Sequence, residues 1–145
     1  MPFEYRSITL SEGRCAGVAM TVPVAALHIM VVDDDQEYAH LVENILVRLG
    51  HRVSTHLDPN LALAALAAPT PAPDLLITDF HMPGTDGLAL VRAARACHPD
   101  LTCVVITSDV EGVDAADAAA AGVRMTLEKP QSMARFAELI RRATA

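Results

Sequence analysis

The chain has no tryptophan, few aromatics of any kind (3%) and a single lysine, Lys129, beside ten arginines in its 145 residues. No basic block interrupts a net charge of −7, so the sequence-independent attraction to phosphate backbones on which nucleic-acid binding draws is missing. Its three cysteines, Cys15, Cys97 and Cys103, form no C-x-x-C pair. An odd, scattered set is the pattern of reduced thiols in a cytoplasmic protein. The six histidines show no zinc-ligand spacing. One apolar stretch, 16–32, raises the question of a membrane span or a signal peptide. Pro23 and His28 interrupt it, and Glu4 and Glu12 offset Arg6 and Arg14 ahead of it. No membrane association is expected. What is present is 52% apolar against 20% charged residues, in a length that suits one domain with a sizeable core.

Short runs rich in branched residues alternate with helical patterns. Residues 27–32 read as a buried strand stopping at Asp33, Asp34 and Asp35. Leu41, Val42, Ile45, Leu46 and Leu49 then recur at helical spacing as far as Gly50, a C-cap. Residues 52–57 form a more polar, edge-type strand, and Asp58-Pro59 opens a helix over 61–68. Leu75–Thr78 is a third strand, ending at Asp79. Asp86 caps a helix over Gly87–Cys97 in which Leu88, Val91 and Ala94 share a face. Residues 102–106 make a fourth strand ending at Thr107, and 114–121 an alanine-rich helix closed by Gly122, its alanines read as a packed face. Residues 123–127 are the fifth strand, ending at Glu128-Lys129-Pro130; Ser132 caps a last helix with Phe136, Leu139 and Ile140 inward. Five strand–helix alternations over 27–145 predict an α/β domain, a five-stranded parallel sheet with helices on both faces. Residues 1–26 fall outside the pattern and are expected to be an N-terminal extension.

In an open parallel sheet, ligands bind beyond the carboxyl ends of the strands. That rim should gather Asp33, Asp34, Asp79, Thr107 and Lys129, which are distant in sequence. Three carboxylates within a few ångströms repel, which raises the pKa of one or more of them. A divalent cation restores the balance, and Mg²⁺ suits the set: it prefers oxygen ligands, takes one or two carboxylates, keeps waters and tolerates phosphate. Magnesium, a lysine and a hydroxyl fit phosphoryl transfer, in which a carboxylate can itself be the nucleophile. A compact ammonium also fits a small anionic pocket better than a guanidinium fork does.

At these residues the chain resembles the receiver domain of two-component response regulators. The matching pieces, in order and spacing, are IMVVDDD (29–35), LLITDFHMPGTDG (75–87), VVITS (104–108) and EKP (128–130). Each is a weak signal alone; four in order are specific. The resemblance implies the (βα)5 flavodoxin-like receiver fold. It implies Asp79 as phosphoacceptor for a sensor histidine kinase or phosphotransfer protein. Asp34, and Asp33 through water, would hold Mg²⁺, with Asp79 and the backbone carbonyl of His81 completing the protein ligands. Lys129 would pair with Asp79 and then with the phosphoryl oxygens, to which Thr107 would also hydrogen-bond. Pro83 and Gly87 match the turn after the acceptor, and His81 and Asp109 stand where family members tune dephosphorylation. The chemistry would be self-catalysed aspartyl phosphorylation and autodephosphorylation, not enzyme turnover. Output would pass to a downstream protein target, with no direct contact to nucleic acid or membrane; a homodimer through the last two helices is one arrangement the family uses. With no effector domain after the last helix, the chain resembles a stand-alone receiver.

The match has departures. Thr126 stands where many receivers carry the tyrosine or phenylalanine that swings inward when the threonine moves, and Gln131 where an aromatic is common. Blander readings also stand: Asp33 to Asp35 as a run of helix caps, Asp79 as a loop acid, Lys129 as a solvated lysine, Thr107 as an ordinary strand residue, His81 as a surface residue. Two other functions compete. One is a pseudo-receiver that binds partners without taking phosphate. The other is a haloacid-dehalogenase-like phosphatase, which would need a further acidic pair after the lysine, where 129–145 offers only Glu138.

Overall fold

The computed structural model describes residues 4–9, 19–24, 26–69 and 71–144. Two N-terminal strands, β1 (Glu4–Thr9) and β2 (Ala19–Val24), pair antiparallel from Glu4 opposite Val24 to Thr9 opposite Ala19. The expected extension therefore contains a two-stranded element of its own; residues 10–18 lie outside the described residues.

The domain proper runs β3 (His28–Val32), α1 (Gln36–Arg48), β4 (Arg52–His56), α2 (Pro59–Ala67), β5 (Leu75–Thr78), β6 (His81–Met82), β7 (Thr85–Asp86), α3 (Gly87–Cys97), β8 (Thr102–Thr107), a 3-10 turn (Val110–Gly112), α4 (Ala115–Ala121), β9 (Val123–Glu128) and α5 (Met133–Ala143). The five long strands after β2 form one sheet in the order β4-β3-β5-β8-β9, with every pairing parallel. The polar strand β4 is at an edge, as its composition requires. Successive residues of a strand face opposite sides, and each side has its own core. Met30, Val32, Leu76, Cys103 and Val105 pack with α2, α3 and α4. Ile29, Val31, Leu75, Ile77, Val104 and Ile106 pack with α1 and α5. Central strand β5 is buried along its whole length, which is why its sequence is a continuous apolar run. No helix among the described residues is long and apolar enough to cross a membrane.

The helix starts follow from short polar side chains that accept a first-turn N–H. Asp35, Asp58, Asp86, Asp114 and Ser132 cap the five helices, accepting from Tyr38, Asn60, Ala89, Asp117 and Arg135 respectively. Asp35 is thus a cap, as the bland reading of that acid had it. Gly50 takes φ 101°, the left-handed turn that ends α1.

Two packing expectations need correcting. Leu41 is 48% exposed, because the buried stripe of α1 runs through Val42 and Leu46 and Leu41 sits one helical step off it. The packed alanine face of α4 is narrower than expected: only Ala118 and Ala121 are buried, in the core shared with α2 and α3.

Gly87 opens α3 directly beneath the end of β5. Its N–H donates to the Phe80 carbonyl at 2.7 Å, and a Cβ there would run into the Asp79 carbonyl oxygen and reach the Phe80 Cα at 3.0 Å. Both obstacles are backbone, so a side chain would displace the segment that carries Asp79. Gly87→Ala should therefore lower stability by roughly 1–3 kcal/mol in denaturant titration, the cost of overpacking a tight site. It should also shift the Asp79 and Phe80 amide resonances more than those of α5.

Candidate functional site

The sequence-predicted residues meet at the carboxyl rim. Asp33 directly follows β3, Asp79 directly follows β5, Thr107 ends β8 and Lys129 follows β9. The backbone fixes them there: the Asp79 N–H donates to the Val32 carbonyl (2.9 Å), and the Lys129 N–H to the Thr107 carbonyl (2.8 Å). The Lys129–Pro130 peptide is cis. Asp33, Asp79 and Thr107 are buried, while Asp34 is exposed at the mouth. One carboxylate oxygen from each of Asp33, Asp34 and Asp79 lies within 4.8 Å of the others.

Each carboxylate is held by the chain beside it. Asp33 accepts from the Asp35 N–H at 2.9 Å through Oδ1, and from Lys129 Nζ at 2.7 Å through Oδ2. Asp79 accepts from the Phe80 N–H at 2.7 Å through Oδ1. Its Oδ2 lies 3.5 Å from the Lys129 ammonium. Burial pushes the Asp33 carboxyl above its ordinary range; the bonds from Lys129 and the Asp35 amide offset this only in part, and Asp79 adds repulsion. The expected pairing of Lys129 with Asp79 is therefore present but secondary, because the ammonium sits closer to Asp33. Thr107, fully buried, accepts from the Asp109 N–H at 3.2 Å, so its hydroxyl proton is left to point elsewhere.

Three features were not anticipated. The His81 ring, 60% exposed, sets Nε2 3.4 Å from Asp109 Oδ2 across the mouth, so the two flanking positions touch each other. The Phe80 and His81 rings meet edge to face at 4.7 Å. The third is Tyr38, whose ring lies under Lys129 Nζ at 4.4 Å. A signal for it existed: stepping the buried stripe of α1 back from Val42 by one turn lands on residue 38.

Chemically, the arrangement offers an all-oxygen, acid-rich cradle beside one ammonium and one hydroxyl that can donate. No nitrogen or sulfur ligand competes in the cluster, which matches a hard cation such as Mg²⁺.

A family model described as the response regulator receiver domain matches residues 29–141. The DNA-binding transcriptional regulator NtrC of Salmonella typhimurium is 36% identical over 115 residues, 79% of this chain and 24% of that protein. The C4-dicarboxylate transport transcriptional regulatory protein DctD of Rhizobium meliloti is 33% identical over 119 residues, 82% of this chain and 25% of that one. The chain thus spans about a quarter of the length of these curated relatives. Among solved structures, NtrX from Brucella abortus superposes with a TM-score of 0.72 at 35% identity, covering 81% of this chain and 27% of NtrX. A CheY-like receiver domain from Methylobacillus flagellatus superposes at 0.73 over 81% of this chain and 98% of its own, at 24% identity, a likeness of fold alone.

Lys129→Met would leave Asp33 and Asp79 without their cation. The expected loss is roughly 1–3 kcal/mol at pH 7. A carboxyl whose folded-state pKa is raised contributes stability that is present at low pH and lost as pH rises through that value. The deficit measured by thermal melting should therefore shrink as pH falls through the carboxylate range. A pH-independent deficit would contradict this account of the pocket.

Proposed function

The chain belongs to the response regulator receiver family, and we propose that its Asp79 accepts a phosphoryl group from a phosphohistidine on a sensor kinase or phosphotransfer protein. The observation that carries this reading is the convergence of Asp33, Asp34 and Asp79 within 4.8 Å, with Lys129 bridging the two buried acids. In the transfer, Asp79 Oδ2 bonds to phosphorus as the P–N bond breaks, and the electron pair stays on the donor imidazole. Lys129 follows the new charge from Asp33 toward the phosphoryl oxygens. Thr107, already an acceptor from Asp109, donates its hydroxyl proton to one of those oxygens.

Asp34 and Asp79, Asp33 through water and the His81 carbonyl would hold Mg²⁺, which when bound neutralises charge on the pocket and the phosphoryl oxygens. Loss of the phosphoryl group to water is expected to be self-catalysed, with no turnover of an outside substrate. Residues 27–145 act as the receiver unit in this reading, apart from 1–26, and the setting is the cytoplasm. Output passes by protein–protein contact, with neither nucleic acid nor membrane touched by this unit, whatever the longer relatives bind; pairing of two copies through α4 and α5 fits the same scheme. Family membership argues against the haloacid-dehalogenase-like alternative. The pseudo-receiver alternative predicts an inert pocket.

With Mg²⁺ and beryllofluoride or acetyl phosphate, the wild type should take up one phosphoryl group or its analogue by intact mass. The melting temperature should rise, by the equivalent of about 2.7 kcal/mol where free ligand stands a hundredfold above Kd. Asp79→Asn should abolish uptake, and Asp34→Asn should raise the Mg²⁺ needed for it. An unmodified wild type would support the pseudo-receiver instead.

A further inference from the structure

Lys129 carries its ammonium against an aromatic ring that does not come from β9. The Tyr38 ring centroid lies 4.4 Å from Nζ, on the first turn of α1, while Asp33 Oδ2 is at 2.7 Å and Asp79 Oδ2 at 3.5 Å. The lysine side chain is only 14% exposed, so the attraction between ammonium and ring is little screened by water. Three groups thus share one cation, and the ring and Asp33 together hold it off Asp79.

We infer that Tyr38 positions Lys129 while Asp79 is free, and reports phosphorylation to the α1–α5 side of the domain in place of an aromatic on β9. The inference rests on Asp79 being the acceptor. A phosphoryl group there adds charge on the far side of the ammonium from the ring, so the lysine leaves Tyr38 as it turns to the new oxygens. The ring then loses the partner that fixes it. Its hydroxyl is buried beside the Gln131 backbone amide. Burial, and next the Asp33 charge, push the phenol up to about 12, so the ring stays neutral beside the cation.

Tyr38 is also well placed to pass the change on. It packs on the core cluster that holds Leu46 of α1 and Phe136 and Leu139 of α5. Strand β9 carries no aromatic ring: Thr126 is half-buried beside an open groove of about 770 Å³ shared with Leu127, Gln131 and Arg135.

The chain has no tryptophan and two tyrosines, Tyr5 and Tyr38, so in a Tyr5→Phe background tyrosine emission reports Tyr38 alone. Loading with Mg²⁺ and beryllofluoride, followed independently by mass, should change that emission in proportion to occupancy. Asp79→Asn should show no change. Tyr38→Leu should raise the saturating rate of phosphorylation from acetyl phosphate about fivefold, since one cation–π contact no longer holds the lysine off Asp79, with KM for the donor unchanged. Tyr38→Phe, which keeps the ring, should return the rate to the wild-type value. A fully loaded chain with unchanged emission, or a Leu variant no faster than wild type, overturns the role of Tyr38 and leaves Asp79 as acceptor. A wild type that takes no label at Asp79 overturns both.

Discussion

The rim of this sheet depends on one ammonium. Two buried carboxylates, from the ends of adjacent strands, share the Lys129 ammonium at 2.7 and 3.5 Å, their only cation among the described residues. Burial alone would drive Asp33 toward its neutral form, and the lysine works against that drive. The charge balance is still incomplete, because Asp34 stands at the mouth within reach of both acids. A pocket in that condition favours whatever brings positive charge or redistributes the negative charge. That is the physical reason such a site can couple cation binding to phosphoryl transfer.

The rest of the fold serves to keep these groups close. Parallel strands buried on both faces deliver their last residues to a common edge, and the strand ends cross-bond through Asp79 to Val32 and Lys129 to Thr107. Gly87 lets the start of α3 close against the Asp79 carbonyl with no side chain between. The pocket is thus assembled by backbone geometry first, and its side chains need only short reaches. Charge changes at Asp79 can then act through Lys129 on Tyr38, whose ring is anchored in the α1–α5 core.

Much of this was legible in the sequence. The three central strands of the main sheet, β3, β5 and β8, carry continuous apolar runs because they are buried on both sides, and Asp58, Asp86 and Ser132 announce their helices by cap chemistry. The site residues could be named because strand ends in a parallel sheet share one rim. What failed were features that depend on neighbours. Leu41 belongs to the same apolar pattern as Val42 but sits one step from the buried stripe. The alanines of α4 fit either a packed or a solvated face, and their surroundings chose solvent for most of them. Strand β2 lay inside an apolar run, 16–32, that hides where one strand stops and the next begins. The preference of Lys129 for Asp33 over Asp79, and the contact of its ammonium with a ring 91 positions away (129 less 38), are outcomes of packing between elements; the helical period of α1 points at residue 38 but not at its partner.

The central claim is that the carboxylate at the end of β5, and no other, takes the phosphoryl group. Phosphorylating the chain with acetyl phosphate and Mg²⁺, reducing the acyl phosphate with borohydride and sequencing the peptides by mass spectrometry tests it most directly. The account predicts reduction to homoserine at position 79 alone. Reduction at position 33 or 34, or label that survives borohydride as a serine, threonine or histidine phosphate, would contradict it.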